Sequence, residues 1–466
     1  MAVHGRSRSR RSRFRLIAAG GVVCAAAVTV PALAQTSGPA LPATFEAQLT
    51  FNKHYAEGEP SIAVNPRNPK NIIVTFLANT GLGTYGLQNN TAPTPRDFKQ
   101  TIQGCDYLVT TDGGRTWSRD RLPIANFEID PTRPNCSDTL VLFDKRGVAY
   151  VIGSSFQFPT FAVGHGDFRV ISSRDGGKTW TKPSVVSPTI LSPGRDIRKW
   201  QGARFYDDRE FMALDDSTHT LYVSGTQGRV DAHGSVGDME YLTSSDDGGK
   251  TWRDAIAVGV AAPSPLSAAF GIVGFTSPPH IGAKRSCSCL DFVVSTDRAR
   301  SIVRRPTPIP GSSTPGGLLS GAATAADPTH AGHFAVATSD SAGNLLVYRT
   351  PDAGRTWTGP TSMTVPGRGV SKIWPEFSRV GVLGVGWRAT KSDGSYGFYG
   401  AASYNGGKTF VIKRISRADS PPTDRLWVAG DDTSAIAVAN GRLYATWGDW
   451  RGGGLQTWWG GFPLSH

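Results

Sequence analysis

The segment Thr110–Trp117 reads Thr-Thr-Asp-Gly-Gly-Arg-Thr-Trp, and similar segments recur along the 466-residue chain. The six copies occupy Thr110–Trp117, Ser173–Trp180, Ser245–Trp252, Ser295–Ile302, Thr350–Trp357 and Ser403–Phe410. Ser403–Phe410 has Asn and Phe in place of Asp and Trp, whereas Ser295–Ile302 has lost both glycines and the aromatic residue. Self-similarity at intervals of tens of residues indicates stacked or radial copies of one supersecondary unit.

Each conserved letter of the repeated segment has a structural explanation. Glycine supplies the positive φ of a tight turn, and an Asp or Asn side chain accepts hydrogen bonds from backbone N–H groups within it. The final aromatic residue packs back on the sheet. We therefore interpret the repeated polar residues as parts of the fold and not of a site. They are Asp112, Asp175, Asp247, Asp352 and Asn405.

Two apolar runs precede each copy, a third run leads into it, and a short strand follows. This order predicts units of four antiparallel strands, with the repeated segment between the third and the fourth. The unit after Phe410 lacks a fourth strand, and the alternating residues 44–51 can supply it from the other end of the chain. The sequence thus predicts an all-β fold, a single β-propeller of residues 48–466. Seven blades are favoured, but an irregular stretch near residues 259–310 leaves six open.

The composition favours many short strands, with 55 Gly, 31 Pro and 10% aromatic residues. Half of the formal charge of +12 comes from six Arg within residues 1–34, which contain no acid. An apolar run and Ala32-Leu33-Ala34 follow these arginines, so residues 1–34 are predicted to be a cleaved secretory signal peptide. Residues 35–47 are predicted to be a flexible leader. We expect a secreted protein with no membrane span after cleavage and no nucleic-acid partner. Sec and twin-arginine export both stay open.

Four cysteines remain after the predicted cleavage, Cys105, Cys136, Cys287 and Cys289. An even number in an exported chain is typical of disulfides. Cys105–Cys136 and Cys287–Cys289 is the favoured pairing. A structural zinc site is a poorer interpretation because the spacing does not match and no His lies near.

The repeated segments resemble the Asp-box, or bacterial neuraminidase repeat, of the sialidase superfamily. Glu59–Pro66 and Gly430–Arg451 also resemble stretches of secreted bacterial sialidase-like proteins. The resemblance covers nearly all of residues 50–466. It implies a propeller that recognises glycans and, if it is an enzyme, an exo-sialidase-like glycoside hydrolase. Its implied partner is a glycan, a cell-surface glycoconjugate or an extracellular protein.

Sialidases hold the substrate carboxylate with an Arg-Ile-Pro motif near the first strand, and they use a Tyr nucleophile paired with Glu and an Asp acid/base. The corresponding place in this chain reads Glu59-Pro60-Ser61. An anion therefore stands where the family has a cation, which argues against hydrolysis of sialic acid.

Acidic residues stand at or just before several predicted first strands, the strands that line a propeller channel. Asp207, Asp208 and Glu210 are the candidate catalytic residues, because three acids within four residues are costly to place together without a partner. Trp200, Trp374 and Trp427 are expected in loops just ahead of first strands. The candidate substrate-binding residues are Glu59, Trp200, Arg209, Trp374, Glu376, Trp427, Asp431 and Asp432.

These acids have four interpretations. They can bind a sugar or hydrolyse its glycosidic bond, or they can hold a hard cation such as Ca²⁺. The simplest interpretation is that they cap turns and pair with Arg209, Lys372 and Arg425. A non-catalytic extracellular binding or scaffold propeller is therefore the alternative function.

Overall fold

A computed structural model shows an all-β protein whose described strands form seven four-stranded sheets. The structure describes residues 44–52, 56–80, 102–124, 135–156, 166–186, 204–231, 234–260, 264–279, 287, 289–311, 321–422 and 433–464. The sheets are arranged as the blades of a propeller, which confirms the seven-blade prediction. Within these residues no helix has the length and apolar character needed to cross a membrane.

The blades follow one another along the chain, each beginning with its innermost strand. Blade 1 contains β2 (Glu57–Val64), β3 (Ile72–Thr80), β4 (Ile102–Thr110) and β5 (Ser118–Arg121). Blade 2 contains β6 (Asn135–Phe143), β7 (Ala149–Phe156), β8 (Gly166–Ser173) and β9 (Ser184–Val186). Blade 3 contains β10 (Arg204–Asp215), β11 (Thr220–Asp231), β12 (Gly234–Ser245) and β13 (Ile256–Val260). Blade 4 contains β14 (Ser267–Ala269), β15 (Ile272–Ser277), β16 (Cys289–Ser295) and β17 (Val303–Pro310).

The remaining blades have the same antiparallel order. Blade 5 contains β18 (Ala323–Ala326), β19 (Phe334–Ser339), β20 (Leu345–Thr350) and β21 (Thr358–Met363). Blade 6 contains β22 (Gly369–Phe377), β23 (Leu383–Thr390), β24 (Tyr396–Ser403) and β25 (Val411–Arg414). Blade 7 contains β26 (Ser434–Ala439), β27 (Arg442–Asp449), β28 (Gln456–Pro463) and the N-terminal β1 (Phe45–Gln48).

Blade 7 joins the two ends of the described chain. The strand β1 pairs with β28 in the register Phe45↔Gly461 to Gln48↔Trp458. The Phe45 ring packs edge-on against Trp459, with centroids 4.7 Å apart. The predicted closure by residues 44–51 is therefore confirmed. Residues 45–47, which the sequence assigned to the leader, belong to this strand because they pair with β28.

Every repeated segment forms the same turn between the third and fourth strands of its blade. In the first copy, Asp112 Oδ1 accepts the backbone N–H groups of Arg115 and Thr116 at 2.9 and 3.0 Å. The Thr110 hydroxyl donates to Asp112 at 2.7 Å and accepts the N–H of Gly114 at 3.0 Å. Partial burial raises the pKa of Asp112, but these hydrogen bonds outweigh it and lower that pKa to about 2.

The degenerate fourth copy keeps this turn without its glycines. Asp297 Oδ1 accepts the N–H groups of Arg300 and Ser301 at 3.1 and 3.0 Å. Arg298 and Ala299 have φ values of 61° and 58°, the left-handed conformation that glycine has at these positions in the other copies, except at Ala353 with its φ of 57°. The Ser–Asp hydrogen bonds are therefore sufficient to preserve the turn.

Tryptophans of the repeated segments pack between neighbouring blades. Trp117 contacts Trp459 of blade 7 edge-on at 5.0 Å, and Trp180 contacts Tyr107 of blade 1 at 5.6 Å. At Gly114 an added Cβ would lie 2.1 Å from the Trp459 ring, so this position also requires glycine for lack of space.

Both predicted disulfides are present, Cys105–Cys136 and Cys287–Cys289. Cys105–Cys136 connects β4 of blade 1 to β6 of blade 2 across 31 residues of sequence. It therefore fixes two neighbouring blades to each other.

Candidate functional site

The innermost strands β2, β6, β10 and β22 share an irregularity near their beginnings. In each strand the register with the second strand skips two residues, which is the signature of a β-bulge. The skipped pairs are Glu59-Pro60, Asp138-Thr139, Arg209-Glu210 and Lys372-Ile373. We call the end of the channel at which these strands begin the bulge face. The opposite end, which carries the repeated turns, is the turn face.

The bulges place charged residues in a strained backbone conformation. Glu59, Asp138 and Lys372 have φ values of 50°, 51° and 53°. Non-glycine residues rarely adopt this conformation, and it costs of the order of 1 kcal/mol or more each. Glu59 and Lys372 are also buried, with 5% and 3% of their surface exposed. Strained, buried and charged residues at equivalent places make the bulge face the candidate functional site.

A second carboxylate of blade 1 lies two residues before the first bulge. The Glu57 side chain is fully buried, and Arg119 Nη1 donates to its Oε1 at 2.5 Å. Arg119 also binds Asp106, whose second oxygen accepts Arg121 Nε at 3.0 Å. Burial raises the pKa of the Glu57 carboxyl, although Arg119 acts against this. Burial acts to lower the pKa of Arg119, but Glu57 and Asp106 raise it above its usual value.

Blade 3 brings the predicted catalytic segment close to a carboxylate that sequence reasoning missed. Asp207 and Asp208 lie in β10, and the bulge follows them. Asp208 pairs with Thr226 of β11, which pairs with Glu240 of β12, so the three residues form one row across the sheet. Two strand spacings of about 4.8 Å separate the ends of that row. Glu210, in the bulge itself, is buried with 2% exposed.

Glu240 is completely buried between blades 3 and 4. The Ser277 hydroxyl donates to its Oε2 at 3.2 Å, while its Oε1 has no hydrogen-bond partner among the described residues. Arg304 lies beyond Ser277 and binds Asp291 through Nε at 3.1 Å. Burial raises the pKa of Glu240 well above its usual value, against the hydrogen bond and the positive charge of Arg304. A carboxyl whose pKa is raised by burial has the character of a proton donor.

Two predicted site residues lie elsewhere in the channel. Trp374 and Glu376 were expected ahead of or at the start of an innermost strand, but they are near the end of β22. That placement was wrong: both residues line a cavity of about 490 Å³ that opens at the turn face. The Val438 N–H donates to Glu376 Oε1 at 3.1 Å, and Trp374 packs near Phe211. Neither residue therefore lies with Glu59 at the bulge face.

The remaining predicted site residues cannot be compared in this way. Trp200, Trp427, Asp431 and Asp432 lie outside the described residues, and nothing is described of the side chains of Asp207, Asp208 and Arg209. Binding of Ca²⁺ by the acids stays a prediction for the same reason.

Comparisons with known proteins agree on the fold. No family model matches the chain. A sialidase of Micromonospora viridifaciens is 27% identical over 167 residues, which cover 32% of this chain and 24% of that protein. The matched part thus spans about a quarter of the relative. A Hadza microbial sialidase matches 90% of the chain with a TM-score of 0.52 and 15% identity, and 68% of its own chain is covered.

A second solved structure is equally similar. A protein of unknown function from Dyadobacter fermentans matches 91% of this chain and 100% of its own, with a TM-score of 0.51 and 13% identity. At such identities the likeness to solved structures concerns the fold alone. The chain therefore has a β-propeller fold similar to that of these proteins, and its activity has to be argued from the site.

Proposed function

We propose that this chain recognises a glycan at the bulge face, and that the glycan is not held through a sialic acid carboxylate. The observation that carries the proposal is Glu59, a buried acid in a strained bulge at the place where the resemblance to sialidases expects arginine. A carboxylate of the ligand would meet a like charge there, which costs binding energy.

The surroundings of Glu59 support this preference. Arg119, the cation bound to nearby Glu57, is shared with Asp106, so its charge is already balanced by two carboxylates. Buried carboxylates suit sugar hydroxyl groups because they accept hydrogen bonds from them. Neutral sugars and amino sugars are therefore the favoured ligands.

The proposal also includes hydrolysis of a glycosidic bond of the bound glycan. Asp207, Asp208 and Glu210 are the candidates for the reacting carboxylates, and Glu240 is added as a candidate acid because burial raises its pKa well above the usual value. A non-catalytic binding or scaffold propeller is the alternative. The fold is compatible with an enzyme and with a binding protein, because the repeated turns lie at the turn face and leave the bulge face free to differ.

The test uses pairs of glycans that differ only in sialic acid. The purified chain is applied to an array of sialylated glycans and their desialylated counterparts, and to chromogenic glycosides of neutral, amino and sialic sugars. We expect signals on the desialylated members. Selective binding or cleavage of the sialylated members would contradict the proposal that the glycan is not held through a sialic acid carboxylate. Absence of signal in both assays would favour the scaffold alternative.

Catalysis is separated from binding by one substitution. If glycosides are cleaved, Asp208→Asn should lower kcat by at least about 100-fold, as expected for loss of a group that transfers a proton. Asp254→Asn, which removes the same charge from an exposed residue of blade 3, is the matched control. Binding without turnover in all variants would identify a binding protein.

Export belongs to the proposal as well. The two disulfides are typical of an oxidising compartment, and residues 1–34 have the pattern of a signal peptide. Sequencing the N terminus of protein recovered from the growth medium should show that it begins after Ala34. Retention of residues 1–34 in a cell-bound protein would contradict export by cleavage.

A further inference from the structure

The turn between β18 and β19 of blade 5 reads Asp327-Pro-Thr-His330-Ala-Gly-His333. It lies on the turn face, away from the candidate glycan site. Backbone hydrogen bonds close it, since Asp327 N–H donates to the His333 carbonyl at 2.9 Å and His333 N–H donates to the His330 carbonyl at 3.2 Å. The turn therefore has a defined shape before any ligand binds.

Three metal-ligating side chains converge in this turn. One atom each of Asp327, His330 and His333 lie within 4.8 Å of one another. Asp327 Oδ2 and His330 Nδ1 are 2.9 Å apart, and the two imidazole rings stack with centroids separated by 4.9 Å. Asp327 is buried, whereas the His330 side chain is 61% exposed, so the cluster has a rigid base and an open side.

Comparison with the equivalent turns of other blades shows which part of Asp327 the fold already uses. Asp144 Oδ1 and Asp215 Oδ1 accept the N–H of the residue two positions later, at 2.9 and 2.8 Å. Asp327 Oδ1 does the same with Thr329 N–H at 2.8 Å. The turn thus accounts for the hydrogen bond that Oδ1 accepts. The partner of the second oxygen, Oδ2, differs from blade to blade.

That second oxygen has a different partner in each of these turns. In blade 2, Asp144 Oδ2 binds the guanidinium of Arg146 at 2.7 Å, and in blade 3 Asp215 Oδ2 accepts the Thr218 hydroxyl at 2.8 Å. In blade 5 it faces an imidazole, with a second imidazole stacked behind. The two histidines are additions that the turn does not require.

We propose that Asp327, His330 and His333 bind one divalent transition-metal ion, with Zn²⁺ as the best match. One carboxylate oxygen and two imidazole nitrogens form a donor set typical of zinc, whereas Ca²⁺ and Mg²⁺ prefer oxygen ligands. Bonds of about 2.0 Å in a tetrahedron place ligand atoms roughly 3.3 Å apart. Asp327 Oδ2 and His330 Nδ1 are 2.9 Å apart, and the ligand atom of His333 lies within 4.8 Å of both, so a small side-chain adjustment brings all three to one ion. The Thr329 hydroxyl, which donates to Asp327 Oδ1 at 2.5 Å, orients the carboxylate.

A metal-free brace is the competing explanation, in which the ion pair of His330 with Asp327 supports the turn without an ion. The two explanations predict different results for added zinc. The test uses the full chain without a histidine tag, stripped with chelator and titrated with Zn²⁺ by calorimetry. We expect one equivalent to bind and the melting temperature to rise with zinc concentration.

Histidine variants locate the ion. His330→Gln and His333→Ala should each weaken zinc binding by at least about tenfold and abolish the zinc-dependent rise in melting temperature. His219→Asn is the matched control, because His219 is the histidine of the equivalent turn in blade 3 and asparagine tolerates its φ of 58°. It should bind zinc like the unaltered protein.

Two results would overturn the proposal. One is a stoichiometry near zero for the chelator-stripped protein, and the other is zinc binding that persists unchanged in the double variant His330→Gln/His333→Ala. Melting temperatures in chelator show whether each variant is folded, and the exposed His330 makes its variant the safer of the two. Asp327 is left unaltered because it also caps the turn.

Discussion

Glu376 is a carboxyl group whose ionisation is set by its place in the channel wall. Burial raises its pKa to about 7, although the Val438 N–H and the charge of Arg379 favour the ionised form. In the unfolded chain the same group ionises near its ordinary value of 4.5. Folding therefore opposes its ionisation, and the free energy of unfolding should fall as pH rises from about 4.5 to 7.

The substitution Glu376→Gln tests this linkage. Glutamine still accepts the Val438 N–H but does not ionise, so the variant should be more stable than the parent at pH 8, on the order of 2 kcal/mol. The difference should shrink as pH falls and disappear near pH 3, well below the ordinary value of 4.5, where both states of the parent are protonated. Urea unfolding at both pH values measures it, with Asp254→Asn as a charge-matched control. A gain that is equal at both pH values would show that burial does not govern this carboxyl.

At the scale of the element, the repeated turn depends on hydrogen bonds more than on its glycines or on charge. Asn405 accepts the N–H groups of Lys408 and Thr409, each at 3.0 Å, and donates from Nδ2 to the Thr409 hydroxyl at 2.9 Å. Asn therefore makes the same contacts as Asp, except that it donates to the threonine hydroxyl, whereas Asp accepts a hydrogen bond from it. The Ser295–Ile302 copy shows that a Ser–Asp pair keeps the turn when glycine is absent.

Paired substitutions in the third copy separate these contributions. Asp247→Ala removes four hydrogen bonds, and we expect it to lower the free energy of unfolding by about 2 kcal/mol. Asp247→Asn should cost less than about 1 kcal/mol, because it reproduces the arrangement at Asn405. Chemical denaturation at pH 7 measures both. Equal losses in the two variants would mean that charge, and not hydrogen bonding, stabilises the turn.

The same turn should lose part of its stabilising effect at low pH. Partial burial raises the pKa of Asp247, but its hydrogen bonds lower that pKa to about 2, below the ordinary 3.8. The stability that the ionised group provides is present above pH 4 and is lost as pH falls towards 2. The stability difference between the parent and Asp247→Asn should therefore shrink between pH 4 and pH 2, which thermal unfolding across that range would reveal. A difference that is constant with pH would contradict the lowered pKa.

The turns could be predicted from sequence because each is local, within eight consecutive residues. The strand β22 could not, since Lys372 in its bulge and Pro375 within it interrupt the alternating pattern. Proline is tolerated there because β22 is the edge strand of its sheet and needs only one hydrogen-bonded neighbour. The wrong placement of Trp374 and Glu376 follows from this interruption.

At the scale of the whole molecule, the site is made by contacts between blades, which the sequence does not display. Ser277, a residue of a different blade from Glu240, connects the buried Glu240 to the partly exposed Arg304. Nothing in the sequence near Glu240 distinguishes it from an acidic residue on the exposed face of a strand. The seven-fold repetition was readable in advance, but the row from Asp208 to Glu240 requires the register of three strands.

Closure of the ring is the whole-molecule property that one truncation can test. Besides the ladder with β28, residues 44–51 bring Glu46 to Arg451, and Thr50 donates to Gln456 at 3.1 Å. Because β1 is the outer strand of blade 7, its loss exposes β28 and uncovers Trp459. A chain that begins at residue 52 should therefore melt several degrees below a chain that begins at residue 44.

The control truncation starts at residue 44 and keeps every contact of β1. Its melting temperature should therefore equal that of the chain that begins at residue 35. Calorimetry of the three proteins at the same pH separates loss of the strand from loss of the preceding residues. We expect the shortest chain also to expose apolar surface that binds a hydrophobic dye, since blade 7 holds the two ends of the ring together. Equal melting temperatures for chains starting at residues 44 and 52 would show that the ring is held closed by the contacts of blade 7 with blades 1 and 6 alone.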